Sequence, residues 1–220
     1  GDLVHGFPEF LRLSGFHHRQ ILFQLCTRIL IGLCIQDRET GVTLSSAAPQ
    51  IVLPGDAQLT ALTGDVSVTT LGAFSMSRFA TGITAVEGKV NISALGDLTL
   101  GTIRSGSGAS DAIKVLSTSS SISQVADLST PMLTAQTAGA GVIVAADEIR
   151  TPLNTRVLSL DISATNGSIV VANDVAMILA GLSGSGGATV NAEGAMTIGD
   201  INMSGTGLVS LIAPTFLGGA

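Results

Sequence analysis

Gly88-Lys-Val-Asn-Ile-Ser-Ala-Leu-Gly-Asp-Leu-Thr-Leu-Gly-Thr-Ile103 decides the fold, because the chain repeats it. Gly186-Gly-Ala-Thr-Val-Asn-Ala-Glu-Gly-Ala-Met-Thr-Ile-Gly-Asp-Ile201 aligns with it without a gap, and Gly88, Ala94, Gly96, Thr99, Gly101 and Ile103 meet identical residues. A third copy starts at Gly64, and weaker ones start at Asp111, Ala140, Gly167 and Gly207. Successive starts lie 24, 23, 29, 27, 19 and 21 residues apart. A ragged period near two dozen residues is the signature of a solenoid.

Within a copy, apolar residues alternate, which means strand. The third and fifth positions read Val66/Val68, Val90/Ile92, Ile113/Val115, Val142/Val144, Ile169/Val171, Ala188/Val190 and Val209/Leu211. A second short strand follows in Phe74/Met76, Leu98/Leu100, Met177/Leu179 and Met196/Ile198. The copies at Asp111 and Ala140 break this second pattern, and Pro152 marks an interrupted strand. Short strands with Gly and Ser corners describe an all-β chain, a parallel β-helix (β-solenoid) of about seven irregular coils. An antiparallel meander would need two-residue Asn-Gly or Asp-Gly hairpins. Asn166-Gly167 is the sole such pair, and it opens a repeat.

The register carries two further expectations. Val66, Val90, Ile113, Val142, Ile169 and Val209 should stack in one internal column, with Ile92 buried between Val68 and Val115. The fourth residue of each copy should point outward; it reads Ser67, Asn91, Lys114, Ile143, Val170, Thr189 and Ser210. Ile143 and Val170 break the polar rule on consecutive coils, and Ile178 extends the apolar character. These three form a candidate contact surface, against a neighbouring molecule or the N-terminal segment.

The run Gly-x-Val-x-Ile-x-Ala-x-Gly-Asp-Leu-Thr-Leu-Gly from Gly88 to Gly101 resembles the repeats of filamentous-haemagglutinin-like exoproteins and related autotransporter passengers. The resemblance spans about Val42 to Ala213. It implies a secreted or bacterial cell-surface protein whose repeats form long shafts that adhere to cells, surfaces or each other. The secretion domain of that family carries Asn-Pro-Asn motifs, and this chain contains no Asn-Pro. The resemblance therefore implies an interior or distal stretch of shaft.

Composition changes near Gly41. Residues 1–40 hold all three His, both Cys and four of the seven Phe, and they do not share the resemblance. They form a separate N-terminal apolar segment, a cap or partner contact, ahead of repeats over 41–220. Phe16 to Gln36 fits a helix, with Gln20, Gln24, Arg28, Gly32 and Gln36 as a polar stripe, and also fits a strand. Leucine content and the stripe favour the helix, whose apolar face could cover a solenoid end.

The rest of the chemistry narrows the function. The chain has 220 residues, 12% charged and 45% hydrophobic, with a net charge of −6. Lys89 and Lys114 are the only lysines, so no basic patch exists to attract nucleic acid or an anionic membrane. The longest apolar run, Ile21 to Ile35, is interrupted by Arg28 and falls short of the roughly 20 residues of a membrane span. A regular segment holds Cys26 and Cys34 about 12 Å apart or more, beyond the reach of a disulfide. Adjacent His17 and His18 point apart, and no zinc spacing joins them to the cysteines. Asp56, Asp65, Glu87, Asp97, Asp111, Asp174, Glu193 and Asp200 mostly flank corner glycines and read as turn residues bonding their own backbone, not as a glycan-cleaving pair. Asp147 and Glu148 read as opposite faces of one strand. Gly181-Leu-Ser-Gly-Ser-Gly-Gly187 and Arg104-Ser-Gly-Ser-Gly108 lack the Gly-Lys-Ser/Thr of a phosphate loop and read as corners.

The expected protein is therefore no enzyme and needs no cofactor or metal. It is an extracellular structural or adhesive module, a shaft segment making protein contacts with itself or a cell surface. A fibre subunit, with solenoids packed end to end or sideways as a homo-oligomer, is the alternative.

Overall fold

Alternating apolar residues make strands here, and glycine-bearing corners keep them short. The computed structural model describes residues 34–37, 41–47, 49–53, 57–77, 82–125, 133–135 and 140–218, and among them every regular element is a strand. Every pairing is parallel. The chain is a β-solenoid of about seven coils.

One face, here face 1, stacks nine strands, among them Val42–Ser46, Val66–Thr70, Val90–Ala94, Ile113–Ser117 and Ala140–Ala145. The coils above Ala140 add two more strands each. Gln50–Leu53, Ala73–Met76, Leu98–Leu100 and Ile122–Gln124 form face 2. Cys34–Asp37, Gln58–Ala61, Gly82–Ala85, Ile103–Ser105 and Leu133–Ala135 form face 3. The section is triangular, and its interior is a filled stack. Val66, Val90 and Ile113 share one column, and Ile92 lies between Val68 and Val115, fully buried.

Below that point the cross-section changes. The strand Ile149–Arg156 pairs at its start with Ile122–Gln124 and at its end with Leu133–Ala135, so it spans faces 2 and 3 at once. From there each coil has two strands. Ser159–Ala164, Met177–Gly184 and Met196–Met203 continue face 1, while Ile169–Asn173, Ala188–Ala192 and Val209–Ile212 continue the merged strand, with face 2 at its start and face 3 at its end. Contacts between adjacent coils accordingly shorten from 24 residues, as in Lys89 on Asp65, to 20, as in Ser185 on Thr165.

This change corrects the expected column. Ile113 stacks on Gly141, not Val142, and the column continues through Leu160, Leu179 and Ile198. Ile169 and Val209 belong to face 2, in line with Ile149 and Ala188. The two best repeats thus sit on different faces: Val90–Ala94 on face 1, Ala188–Ala192 on face 2. After Gly101-Thr102 the first copy turns onto face 3; the second runs straight through Gly199-Asp200 inside Met196–Met203.

The strand Ile149–Arg156 passes through Pro152 without ending, and its register to Ile169–Asn173 shifts between Ile149 and Leu153. A proline, lacking its N–H, is tolerated where pairing is suspended in this way. Gln124 Oε1 accepts from Asn154 N–H at 3.0 Å, serving as a side-chain partner near the shift.

Asn173 holds the two-strand section closed. It sits on the column that carries Leu59, Ile83 and Ile103 higher up, yet it is polar and buried. Its Oδ1 accepts from Val157 N–H at 3.0 Å and Thr155 Oγ1 at 2.9 Å; its Nδ2 donates to the Val157 and Val175 carbonyls at 3.2 and 2.8 Å. One amide therefore satisfies backbone groups of two successive turns, and those of Val157 are buried.

The repeat's first glycine has its own cause. A Cβ at Gly88 would collide with the Gly64 carbonyl, and one at Gly186 with the Gly167 carbonyl. Successive corners approach too closely for any side chain.

The Cys34–Asp37 end of the segment read with a preference for helix is a strand, paired to Gln58–Ala61. Here backbone groups offered by the sheet edge override the helical stripe. The rest of that segment, including His17, His18 and Cys26, lies outside the described residues.

Two substitutions test this stack. Ile92→Ala should cost about 2–5 kcal/mol in denaturant unfolding, since neighbouring coils cannot collapse into the gap. Asn173→Ala should cost roughly 2–4 kcal/mol through the stranded backbone groups, whereas Asn191→Ala, on the outer side of the next coil, should stay within about 0.5 kcal/mol of wild type. Equal effects of the two asparagine changes would refute the closing role of Asn173.

Candidate contact surfaces

Outward positions of face 1 form a grid. Thr43 and Ser45, then Ser67 and Thr69, then Asn91 and Ser93, are in register across three coils. Strand geometry places columns about 7 Å apart along the strand and rows about 4.8 Å apart between coils. Further down the same face, Ser163, Ser183 and Asn202 line one column and, with Thr165 and Ser204, a shallow polar notch. Short hydroxyl and amide side chains on a flat sheet give many weak hydrogen-bonding points.

The three residues expected to form an apolar ridge do not meet. Ile143 points inward, with no exposed surface, in the column of Val115 and Ile162. The reason is the one-residue register change at Gly141, which turns every side chain of Ala140–Ala145 to the opposite side from that expected. Outward on that strand are Val142 and Val144, the latter paired with Leu116. Val170 faces outward on face 2, opposite Thr189. Ile178 is exposed on face 1, where its N–H donates to the carbonyl of Leu158, a second exposed aliphatic residue.

Apolar exposure also concentrates at the corner between faces 1 and 2. Leu71 is 66% and Leu95 48% exposed, one above the other. With Pro49 and Ala73 they border a notch whose other wall is Asp97, Ser119 and Ser120. Sequence reasoning missed this pair although a signal existed: Leu-Gly recurs at 71–72 and 95–96, beyond the last inward residue of each strand.

Acids at the corners bond the neighbouring coil more than their own. Asp65 Oδ1 accepts from Lys89 N–H at 2.7 Å, and the Lys89 ammonium reaches Asp111 at 2.6 Å. Asp97 accepts from the Ser120 hydroxyl and from Ser121 N–H, the latter at 3.3 Å; Ser121 Oγ in turn donates to Asp147 at 3.2 Å. Asp147 and Glu148 lie at a corner ahead of Ile149–Arg156, not within a strand. Glu148 pairs with Arg150, and Asp174 with Arg156 at 2.7 Å. Arg104 and Ser105 end a strand before their corner, while Gly181 to Gly184 lie in a strand and lead into one.

The Ser120 hydroxyl, then Ser121 N–H and the charge of Arg150, hold the Asp97 carboxyl below the usual carboxylate range against some desolvation. Lys89 does the same for Asp111. Among the described residues no three His, Cys, Asp or Glu gather as a metal site, and no helix is long and apolar enough to cross a membrane.

The fold and surface define a β-solenoid whose first coils carry a flat polar grid on face 1. No protein-family model matches the chain, and neither the curated proteins nor the solved structures include a significant match.

The depressed carboxyl of Asp97 gives a pH-dependent expectation. Its stabilisation is present above the unfolded value of about 3.9 and is lost as pH falls through the lower folded value. Asp97→Asn should therefore lower Tm at pH 6, by no more than about 2 °C for so exposed a group, and the difference from wild type should shrink as pH falls below that unfolded value. A difference that persists unchanged at low pH would mean the carboxylate charge is not its source.

Proposed function

We propose that the chain is a non-enzymatic structural module acting outside the cell, a shaft segment of an adhesin-like protein. The observation that carries this reading is the face 1 grid, Thr43/Ser45, Ser67/Thr69 and Asn91/Ser93, displayed on a continuous stack of coils. A stack of this kind sets distance and rigidity through its length, since each coil rests only on its neighbours. Its flat polar faces suit weak contacts multiplied along a surface, where avidity replaces a single tight site. The likeness of Gly88 to Gly101 to secreted β-helical repeats agrees with that use. A self-assembling subunit is the second reading, favoured by Leu71 and Leu95, exposed one above the other at a corner.

Antibody labelling of producing cells checks the first reading. Intact cells should label as strongly as permeabilised ones, and the purified chain should be retained by those cells in a washing assay. Labelling that requires permeabilisation would contradict the extracellular role. Retention no greater than that of an unrelated protein of equal charge would contradict the adhesive one.

A further inference from the structure

Asn166-Gly167, the sole Asn-Gly pair in the chain, stands at the corner between Ser159–Ala164 and Ile169–Asn173, with Asn166 exposed. Such a pair carries its own chemistry. The Gly167 nitrogen, once hydroxide has taken its proton, can attack Asn166 Cγ, and the glycine has no side chain to hinder the approach. The new N–C bond closes a succinimide ring, the Cγ–Nδ2 bond breaks, and ammonia leaves. Water then opens the ring at either carbonyl and leaves aspartate or isoaspartate at position 166. Water is the only co-reactant.

The corner occupies both reacting groups. Gly167 N–H donates to the Asp147 carbonyl at 2.8 Å, and Asn166 N–H donates to the same oxygen at 3.3 Å. Asn166 Nδ2 donates to the Ala146 carbonyl at 3.0 Å. The nitrogen that must lose its proton and the amide that must leave are thus both held by the preceding coil. The following coil closes the other side. Ser185 Oγ donates to the Thr165 carbonyl at 2.6 Å, and Gly186 lies so near the Gly167 carbonyl that a Cβ would collide with it. Gly167 is itself packed on Glu148, whose Cβ fills the space a side chain would take. For Cγ to swing onto the Gly167 nitrogen, the bonds to Asp147 and Ala146 must break and the corner must lift from the coil above it.

The product fits the corner badly. A carboxylate at position 166 lacks the donor that meets the Ala146 carbonyl, and it adds negative charge to a corner that already holds Asp147 and Glu148. Isoaspartate also lengthens the backbone by a methylene, where Gly167 and Gly186 leave no room for a Cβ. A corner that has reacted does not close as before.

We propose that Asn166-Gly167 is a latent deamidation site, kept unreactive by the coils on either side and modified only when this corner opens. The exposure of Asn166 is therefore no measure of its reactivity. The inference goes beyond adhesion and self-assembly: it survives if the module binds nothing, and either use survives if the site proves reactive in the folded chain.

Peptide mass spectrometry and isoaspartyl methyltransferase labelling of the 220-residue chain, incubated in mildly alkaline buffer, are the test. In the folded protein the peptide holding Asn166 should gain its one-unit mass increase at least about tenfold more slowly than in concentrated guanidinium, because the open corner is a minor state. Gly186→Ala, which drives a Cβ against the Gly167 carbonyl, should speed modification of the folded chain at least about threefold. Gly88→Ala makes the same collision with Gly64 at a distant corner and should leave the rate within about twofold of wild type. Equal rates in folded and unfolded chain, no response to Gly186→Ala, or an equal response to Gly88→Ala would each overturn the proposal. The wild-type comparison decides alone where either variant fails to fold.

Discussion

Everything in this molecule depends on parallel strands hydrogen-bonding from one coil to the next. No coil has a core of its own: Ile92 is buried only because Val68 lies on one side and Val115 on the other. Backbone pairing fixes the coil spacing, and that spacing dictates the rest. Corners must carry glycine where successive turns meet, at Gly88 over Gly64 and at Gly186 over Gly167. Acids and hydroxyls at the corners bond across coils because the nearest polar group is in the next coil, as in Asp97 with Ser120 and Ser121.

The same constraint explains how one local repeat serves two cross-sections. A strand, a glycine corner and another strand are compatible with any pair of adjacent faces. Whether the chain then turns a third time decides if a coil has three strands or two. At Gly101-Thr102 it turns; at Gly199-Asp200 it does not. Between these regimes, Ile149–Arg156 joins two faces in a single strand, and Asn173 bonds the N–H and carbonyl of Val157 at the corner that follows.

Parallel strands, their inward residues and the solenoid itself are legible in the alternation around Val90, Ile92 and Leu98, since a side-chain period of two needs no tertiary information. The number of strands per coil is not legible. Gapless alignment of Gly88–Ile103 with Gly186–Ile201 suggests a single frame, but the frame is set by pairing across the coil from Ile113 to Gly141. Ile143 is buried and not outward for this reason: one residue of register separates an outward ridge from a buried column. Ile178 needed no such long-range knowledge and is exposed as expected. The Leu71 and Leu95 pair was readable, because a leucine just before a corner glycine has no inward position to occupy.

Backbone nuclear Overhauser contacts in a perdeuterated sample read the change from three strands to two per coil. Cross-strand contacts should link Ile149 to Ile169, Ile169 to Ala188 and Ala188 to Val209, with a separate series through Gly141, Leu160 and Leu179. Contacts joining the Val142 strand directly to Ile169, with Ala188 on the same sheet as Val90, would contradict it.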